Sequence, residues 1–187
     1  RRADEGAPGN FIISGDKPIS ITQYNPGQDD DGVSSDPFQI VLTPIEQFMN
    51  EITFNTPGIG DGSGFARNYI NVVFQLDEDG NMPEGLEFAS VSNSAFTWES
   101  VRGKFGSFFD SFVSAVEGKS YGMKTIKLPK DGVYKIRSPY PFTAYAYGFS
   151  DYDSYGFPTS VALGDLERPD TIPPHAVHQE NCDGDRN

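Results

Sequence analysis

Apolar and polar residues alternate along much of this chain, and a period of two predicts strands with one buried face. In residues 18–24, for example, Ile19 and Ile21 alternate with hydroxyl-bearing residues. Residues 69–76 are apolar enough throughout to predict a strand in the middle of a sheet. Shorter extended runs fall at residues 38–42, 52–54, 124–128, 133–136, 141–149 and 160–163.

A strong turn signal separates two of these runs. Asp131 and Gly132 stand between residues 124–128 and residues 133–136, and both runs alternate apolar with polar positions. Asp-Gly favours the tight turn of a β-hairpin, because that turn needs residues that accept a positive φ. We therefore predict that these two runs pair with each other.

Two other segments carry helical signals. Thr43, Pro44 and Glu46 match the first positions of a capped helix, so one or two helical turns are expected there. Glycines and serines in residues 86–118 oppose a helix, so a short helix and an aromatic-rich loop both remain open for that segment. The side chains that recur there at helical spacing are Phe105, Phe108, Phe109, Phe112, Val113 and Val116.

The composition agrees with strands joined by many turns. Gly occurs 20 times and Pro 14 times, while 15 Phe and 9 Tyr are more aromatic residues than a disordered chain carries. We therefore predict an all-β fold, β-sandwich-like, with long loops and at most one or two short helices. Residues 1–10 are interpreted as an N-terminal arm, residues 11–165 as one β domain, and residues 166–187 as a Pro-rich linker into a following module.

The charge of the chain excludes several classes of partner. Lys and Arg number 14 against 27 Asp and Glu, a formal net charge of −13. So acidic a surface argues against nucleic acid, whose phosphates need a basic face, and against anionic membranes. No apolar run approaches the ~18 residues of a membrane-spanning helix. The single cysteine, Cys182, excludes an intramolecular disulfide framework.

The residues that common hydrolases need do not come together in this sequence. No Gly-x-Ser-x-Gly motif occurs, and both histidines, His175 and His178, fall in the Pro-rich tail, which cannot hold a base in a fixed geometry. With Cys182 they provide three metal donors, and Asp183 or Asp185 could supply the fourth ligand that a structural zinc site needs. A plain interdomain linker is the favoured interpretation. We expect no enzymatic activity.

Two acidic turns offer the oxygen ligands that Ca²⁺ prefers. One holds Asp29 and Asp31, and the other holds Asp77 and Asp79. Neither turn has the ligand spacing of an EF-hand. Because Asp also stabilises turns through hydrogen bonds to the backbone, turn chemistry is the favoured interpretation, and a bound Ca²⁺ is the alternative.

Aromatic side chains supply the candidate binding residues. In residues 141–149, Phe142, Ala144 and Ala146 share one face, which places tyrosines on the other. Exposed rings stack on sugars or form protein interfaces, although half or more of these rings are expected in the core, because strands alternate faces. The candidates are Trp98, Tyr145, Tyr147, Tyr152 and Tyr155.

Short motifs follow one another in a recognisable order along the chain. The closing part is the most specific: a Gly-turn segment at 130–136, the strand PFTAYAYGF at 141–149 and the end DSYGFP at 153–158. Upstream elements precede it at residues 17–24, 36–48, 54–57, 68–73 and 118–121. Together these motifs, across roughly residues 11–165, resemble the IgGFc-binding protein N-terminal domain family.

This resemblance implies a β-rich adhesive or binding module, of the kind found in large secreted mucosal proteins and in multidomain bacterial surface proteins. We therefore expect a non-catalytic extracellular or cell-surface module for adhesion or surface assembly. Its expected partners are other modules or subunits of the same surface protein, or a host or cell-surface protein or glycan. Two alternatives stay open: a Ca²⁺-assisted carbohydrate-binding module, and a subunit of an extracellular filament or surface layer.

The resemblance also bears on the extent of the domain. Family members usually carry more chain before the strand at residues 17–24, so the first strands of the domain are expected to be missing from this piece. A sheet that lacks strands has an open edge, and open edges recruit other strands. We therefore expect a neighbouring subunit or chain segment to cover that edge.

Overall fold

The computed structural model describes residues 12–27, 35–58, 64–92, 95–113 and 119–159. Within them the strands are β1 (Thr22–Asn25), β2 (Phe38–Val41), β3 (Met49–Asn55), β4 (Arg67–Gln75), β5 (Glu87–Ser92), β6 (Ala95–Phe96), β7 (Glu99–Ser100), β8 (Asp110–Val113), β9 (Ser120–Lys127), β10 (Val133–Ser150) and β11 (Asp153–Pro158). The helices are a 3₁₀ turn at Ile45–Gln47 and α1 at Val101–Phe105. The predicted all-β fold with at most two short helices is confirmed for the described residues.

One long strand, β10, organises the sheet. Its first half, from Val133 to Arg137, pairs with β3 on one side and β5 on the other. Its second half, from Phe142 to Ser150, pairs with β4 and β11. Between the halves the register shifts, where prolines cannot donate main-chain hydrogen bonds.

The remaining strands of the sheet join one half of β10 or the other and so form two groups. Every pairing among the described strands is antiparallel. We call β3, the first half of β10, β5, β6 and β7 the first half-sheet. We call β11, the second half of β10, β4, β9 and β8 the second half-sheet. Because β10 runs through both groups, the two half-sheets are one continuous sheet that can fold onto itself.

The two half-sheets share one hydrophobic core, which makes the fold sandwich-like as predicted. On β4, Ile70, Val72 and Phe74 are fully buried, while the residues between them are half-buried. β4 lies between β10 and β9, which confirms the central strand predicted at residues 69–76. The same core takes side chains from both half-sheets: Ile52, Phe54, Phe88, Ile126, Leu128, Tyr134, Ile136, Phe142, Ala144 and Ala146.

β1 and β2 form a separate two-stranded ribbon that packs against β11. Gly156 permits this approach, because a β-carbon at that position would lie 2.3 Å from the Phe38 ring. The Phe38 ring also stacks on Tyr147, with centroids 6.4 Å apart. The ribbon therefore covers part of the outer face of the second half-sheet. β1 begins at Thr22, so only the second part of the strand predicted at residues 18–24 is a strand in the structure.

The predicted hairpin at Asp131-Gly132 is wrong, although both of its strands exist. β9 pairs with β4 and β8, whereas the first half of β10 pairs with β3 and β5. The turn passes between half-sheets because its backbone bonds to the end of β3: Thr56 N–H donates to the Gly132 carbonyl at 3.1 Å, and Gly132 N–H donates to Thr56 Oγ1 at 3.0 Å.

In the described parts of residues 86–118, the helical stripe is mostly not a helix. α1 ends at Phe105, because Gly106 has a φ of 81° that leaves the helical region. Phe108 is 80% exposed, and the chain then becomes β8. β5 also lies inside this segment and was not predicted. Of the two interpretations left open, a short helix is correct for α1 alone among the described residues of this segment.

The helical turn predicted after Thr43 is confirmed, but its cap is not. The turn is 3₁₀, Pro44 is its N-cap residue, and no side chain of the described residues caps it. Thr43 instead lies buried, and its hydroxyl has no hydrogen-bond partner in the described part of the chain. Its N–H donates to the Tyr145 hydroxyl oxygen at 3.0 Å. A long-range contact has therefore replaced the local one.

Some predictions fall outside the described residues. They are the arm at 1–10, the strand at 160–163, the linker at 166–187, the acidic turn with Asp29 and Asp31, Val116 of the helical stripe, and the tail residues His175, His178 and Cys182. These stay predictions, as do the domain limits. In the part of the chain that the structure describes, no helix has both the length and the apolar character that a membrane crossing requires.

Candidate functional site

Two aromatic rings lie over two cations on the outer face of the first half-sheet. Lys135 Nζ is 4.7 Å from the centre of the Phe96 ring, and Arg137 Cζ is 4.2 Å from the centre of the Trp98 ring. The two rings meet edge to face, with centroids 5.4 Å apart. Exposed cation–π contacts contribute about 0.5–1 kcal/mol each. We call these four side chains the aromatic–cation face.

Strand register brings these side chains together. Lys135 and Arg137 are two residues apart on β10, so both point to the same side of the sheet. Phe96 lies on β6, which pairs with β5 beside β10, and Trp98 follows two residues later. Ala89 of β5, directly opposite Lys135, is fully buried. Because opposite residues share a side of the sheet, larger side chains must close over Ala89.

Each cation of the face also has a carboxylate partner. Lys135 Nζ lies 3.3 Å from Glu51 Oε1, and Arg137 donates from Nε to Glu87 Oε2 at 2.6 Å. Exposed ion pairs add little free energy, but these two hold the cations beneath the rings and neutralise them. The face therefore suits contact with a protein better than capture of a free anion, since aromatic residues and Arg are enriched where proteins meet.

Of the predicted aromatic residues, Trp98 alone belongs to this face. Tyr145 and Tyr147 lie on the outer side of the second half-sheet, near the β1–β2 ribbon. The Tyr145 hydroxyl accepts the Thr43 N–H, and the Tyr147 hydroxyl donates to Asn71 Oδ1 at 3.2 Å. Burial of the Tyr147 hydroxyl is the main reason that its pKa is raised above the ordinary tyrosine value. These two tyrosines are therefore occupied within the fold.

Tyr152 and Tyr155 are two further candidates, and they differ from each other in their exposure to solvent. Tyr152 sits in the turn between β10 and β11 with a φ of 57° and is 71% exposed. Tyr155 is half-buried against the core, with its ring 4.7 Å from that of Phe65. The five candidate rings thus form no common platform, and a binding role for each outside the aromatic–cation face stays a prediction.

A buried polar centre that sequence reasoning missed lies at Asn68. Its Oδ1 accepts a 2.6 Å hydrogen bond from the Tyr155 hydroxyl, and its Nδ2 donates to Asp131 Oδ1 at 2.8 Å and to the Phe65 carbonyl at 3.0 Å. Asn68 therefore ties β4 to β11 and to the turn that joins β9 and β10. The sequence contained one signal for it: Asn68 is a polar residue in phase with the inward-facing positions of the strand that follows it, Ile70, Val72 and Phe74.

The acidic turn at Asp77 behaves as a turn. Asp77 Oδ1 accepts hydrogen bonds from the N–H groups of Asp79 and Asn81, at 3.1 Å and 2.7 Å, and Asp77 N–H donates to the Asn81 carbonyl. Among the described residues, no three side chains of the metal-ligating types stand close enough to hold an ion. A Ca²⁺ at Asp77 and Asp79 stays a prediction, and the favoured turn chemistry accounts for Asp77.

The buried hydroxyl of Tyr155 gives a test of this packing at high pH. Burial first, and the nearby Asp131 carboxylate second, raise the pKa of Tyr155 in the folded protein. Tyrosine in the unfolded chain has a pKa of about 10. Below that pH the raised pKa of the folded state does not change the free energy of unfolding, and above it the free energy of unfolding falls. We expect the free energy of unfolding of the natural protein to fall above about pH 10.

The variant Tyr155→Phe isolates this contribution. At about pH 8 it should be less stable than the natural protein by about 1 kcal/mol, because Asn68 Oδ1 loses a hydrogen bond. Above about pH 10 the difference should shrink and then change sign, because only the natural protein has a buried hydroxyl whose ionisation opposes folding. Urea denaturation at a series of pH values measures both quantities. A difference that stays constant with pH would mean that Tyr155 is not protected from water.

Comparison of the sequence with known proteins identifies the family of this chain. A family model described as IgGFc binding protein matches residues 3–148. That range includes all four side chains of the aromatic–cation face and Asn68. Neither the curated proteins nor the solved structures contain a match to the chain.

Proposed function

This chain belongs to the IgGFc-binding protein family, as its motifs predicted, and from that premise we propose that it is a non-catalytic extracellular module that binds a partner protein through the aromatic–cation face. The family supports an extracellular binding module. Adhesion or assembly at a cell surface is the more specific role that we propose. The Fc fragment of immunoglobulin G, which the family description names, is the first ligand to try.

The position of Phe96 and Trp98 carries this proposal. Phe96 exposes 43% of its surface and Trp98 is half-buried, so both rings are held in place while parts of them stay accessible. Binding hot spots are rich in Trp, Tyr and Arg, because a large rigid side chain loses little conformational entropy when it is covered. Phe96, Trp98 and Arg137 supply such a group on a sheet, which is a rigid support.

The electrostatics of the module support the same proposal. A formal net charge of −13 keeps the protein soluble and disfavours indiscriminate binding to acidic surfaces. On the aromatic–cation face the two cations are balanced by Glu51 and Glu87. A partner therefore meets a neutral aromatic area within an acidic surface, and apolar contact rather than charge should dominate the affinity.

Removal of the Trp98 ring should abolish most of this binding. We expect saturable binding of the natural protein to at least one probe among immobilised Fc fragment, fibronectin, collagen and mucin. Trp98→Ala should weaken that binding roughly tenfold or more, the loss typical of a hot-spot residue. Phe96→Ser serves as a second variant. Biolayer interferometry measures the affinities, and thermal unfolding confirms that each variant is folded.

Phe108→Ala is the matched control, because Phe108 is an exposed aromatic residue that precedes β8 of the other half-sheet. It should bind as well as the natural protein. Equal losses in the Trp98 and Phe108 variants, or no binding to any probe, would contradict the proposal. Binding to a glycan array that requires Ca²⁺, without binding to the protein probes, would favour the carbohydrate-binding alternative instead.

A further inference from the structure

Strand β3 has a free side. In the part of the chain that the structure describes, it pairs with β10 alone. It has seven residues, whereas the outlying strands β6 and β7 have two each and β8 has four. β11 has six residues and, among the described strands, pairs with β10 alone, while the β1–β2 ribbon packs on its face. β3 is therefore the longest uncovered edge among the described strands.

The register shows which main-chain groups face outward from β3. Thr56 N–H bonds to the Gly132 carbonyl, so this pair is a hydrogen-bonded rung of the β3–β10 ladder. In an antiparallel pair such rungs alternate, so Ile52 and Phe54 also bond toward β10. The residues between them direct both N–H and C=O to the free side. These residues are Glu51, Thr53 and Asn55.

Little on β3 discourages another strand from pairing there. Natural edges are protected by lysine, proline, bulges or very short length. Between Asn50 and Asn55 the strand has neither lysine nor proline, and its register with β10 is regular from Glu51 onward. Its only charge is that of Glu51, which lies beside Lys135.

We propose that a second copy of this chain occupies this edge, with β3 pairing antiparallel to its counterpart about a two-fold axis at Thr53. Thr53 then faces Thr53 of the second copy, and Glu51 faces Asn55 in both directions. Thr–Thr pairs are favourable across strands, and an amide can donate to a carboxylate. The three pairs form about six main-chain hydrogen bonds, two for each rung.

The neighbouring registers are worse, which fixes this one. An axis at Glu51 would place two carboxylates directly opposite each other, and like charges in that position destabilise a sheet. An axis at Asn55 would place Thr53 opposite Pro57, which has no N–H to donate. Any shift by one residue would turn the free main-chain groups of one strand away from the other.

The dimer has a consequence for the aromatic–cation face. A two-fold axis within an antiparallel pair is perpendicular to the sheet, so the outer faces of both first half-sheets lie on the same side. Two copies of Trp98 would then be presented together to a multivalent partner. Linked sites of this kind can raise apparent affinity by about 10²–10⁴ without any new contact.

The test is the association state of the 187-residue chain itself. We expect analytical ultracentrifugation to show a monomer–dimer equilibrium, with a monomer of 20.5 kDa. Because each copy has a net charge of −13, higher salt should tighten the dimer by screening the repulsion. Thr53→Pro removes an outward N–H and should weaken the dimer roughly 100-fold. Thr53→Val keeps that N–H and should dimerise normally.

A second variant and an exchange measurement complete the test. Thr53→Lys places two cations together at the axis and should also give a monomer, and thermal unfolding shows whether each variant is folded. Amide exchange of Glu51, Thr53 and Asn55 should slow as the protein concentration rises. A natural protein that is monomeric at all concentrations, or dimers that withstand both Thr53→Pro and Thr53→Lys, would overturn the proposal. So would protection of these three amides in the monomer, which would mean that the chain covers its own edge.

These outcomes are separate from those for ligand binding. Trp98→Ala should leave the dimer intact, because its ring lies on the sheet face and not at the β3 edge. Thr53→Pro should still bind a protein probe as a monomer, but with lower apparent affinity on a densely coated surface. Failure of either proposal can therefore be recognised without reference to the other.

Discussion

Phe142→Ala is expected to lower the free energy of unfolding by about 3–5 kcal/mol. Phe142 is fully buried, and it stands in register with Met49 of β3 and with Phe74 of β4. It therefore fills the place where the two halves of β10 meet. Loss of the ring removes buried apolar area and leaves a cavity that neither half-sheet can close alone. Urea denaturation measures the change.

Phe142→Leu is the matched control for cavity size. Leucine keeps most of the apolar volume, so this variant should lose clearly less stability than Phe142→Ala. The slope of the denaturation curve should stay the same for both variants, since the surface exposed on unfolding is unchanged. A loss below about 1 kcal/mol for Phe142→Ala would show that the two half-sheets do not pack on a shared core.

Asn68→Asp is expected to destabilise the protein strongly at neutral pH and much less at acidic pH. The change replaces a buried amide, which donates to Asp131 Oδ1 at 2.8 Å, with a carboxylate at the same place. Burial and the facing carboxylate both disfavour the charged form. A penalty of about 3 kcal/mol at about pH 7 corresponds to a pKa raised by about two units in the folded state.

The pH dependence of this variant has a definite sign. The introduced carboxyl holds its proton more tightly in the folded than in the unfolded chain, so the penalty is full above the folded pKa. It disappears as the pH falls toward the unfolded value of about 3.9. The difference in unfolding free energy between the natural protein and Asn68→Asp should therefore shrink between about pH 7 and about pH 4.

Asn68→Ala separates charge from the loss of hydrogen bonds. It should cost about 1–3 kcal/mol, because the Tyr155 hydroxyl is left without its acceptor. The loss should change little between neutral and mildly acidic pH, since no carboxylate is introduced. Denaturant titrations of both variants across this range provide the comparison. Parallel pH profiles for the two would contradict the close approach of Asn68 and Asp131.

Much of the secondary structure could be predicted from the sequence. The strongest example is residues 69–76, where the apolar run matches β4, and the alternation of Phe142, Ala144 and Ala146 matches buried positions of β10. Alternation reports burial of one face, which is a property of the segment itself. Strand pairing is not such a property, and this is why the Asp131-Gly132 hairpin was wrong even though both runs are strands.

The candidate site could be predicted only in part. Trp98 was among the candidate residues because of its ring, but Phe96, Lys135 and Arg137 were not. A usable signal was present in the spacing, since Phe96 and Trp98, like Lys135 and Arg137, are two residues apart, and this spacing puts two side chains on the same side of extended backbone. Their meeting required β10 to lie beside β5, with nearly 40 residues between the two pairs. The pairing of β10 with β5 is a long-range contact, which the local sequence pattern does not contain.

The fold class, the family and the burial of most strands could be predicted, because each depends on local alternation or on short motifs in order. Other features depended on how distant segments meet: β10 is shared by two half-sheets, Tyr145 and Tyr147 are occupied within the fold, and Trp98 lies over Arg137. The free side that β3 has among the described strands belongs with them. Which strands become neighbours depends on how the whole core closes, and no single segment contains that information.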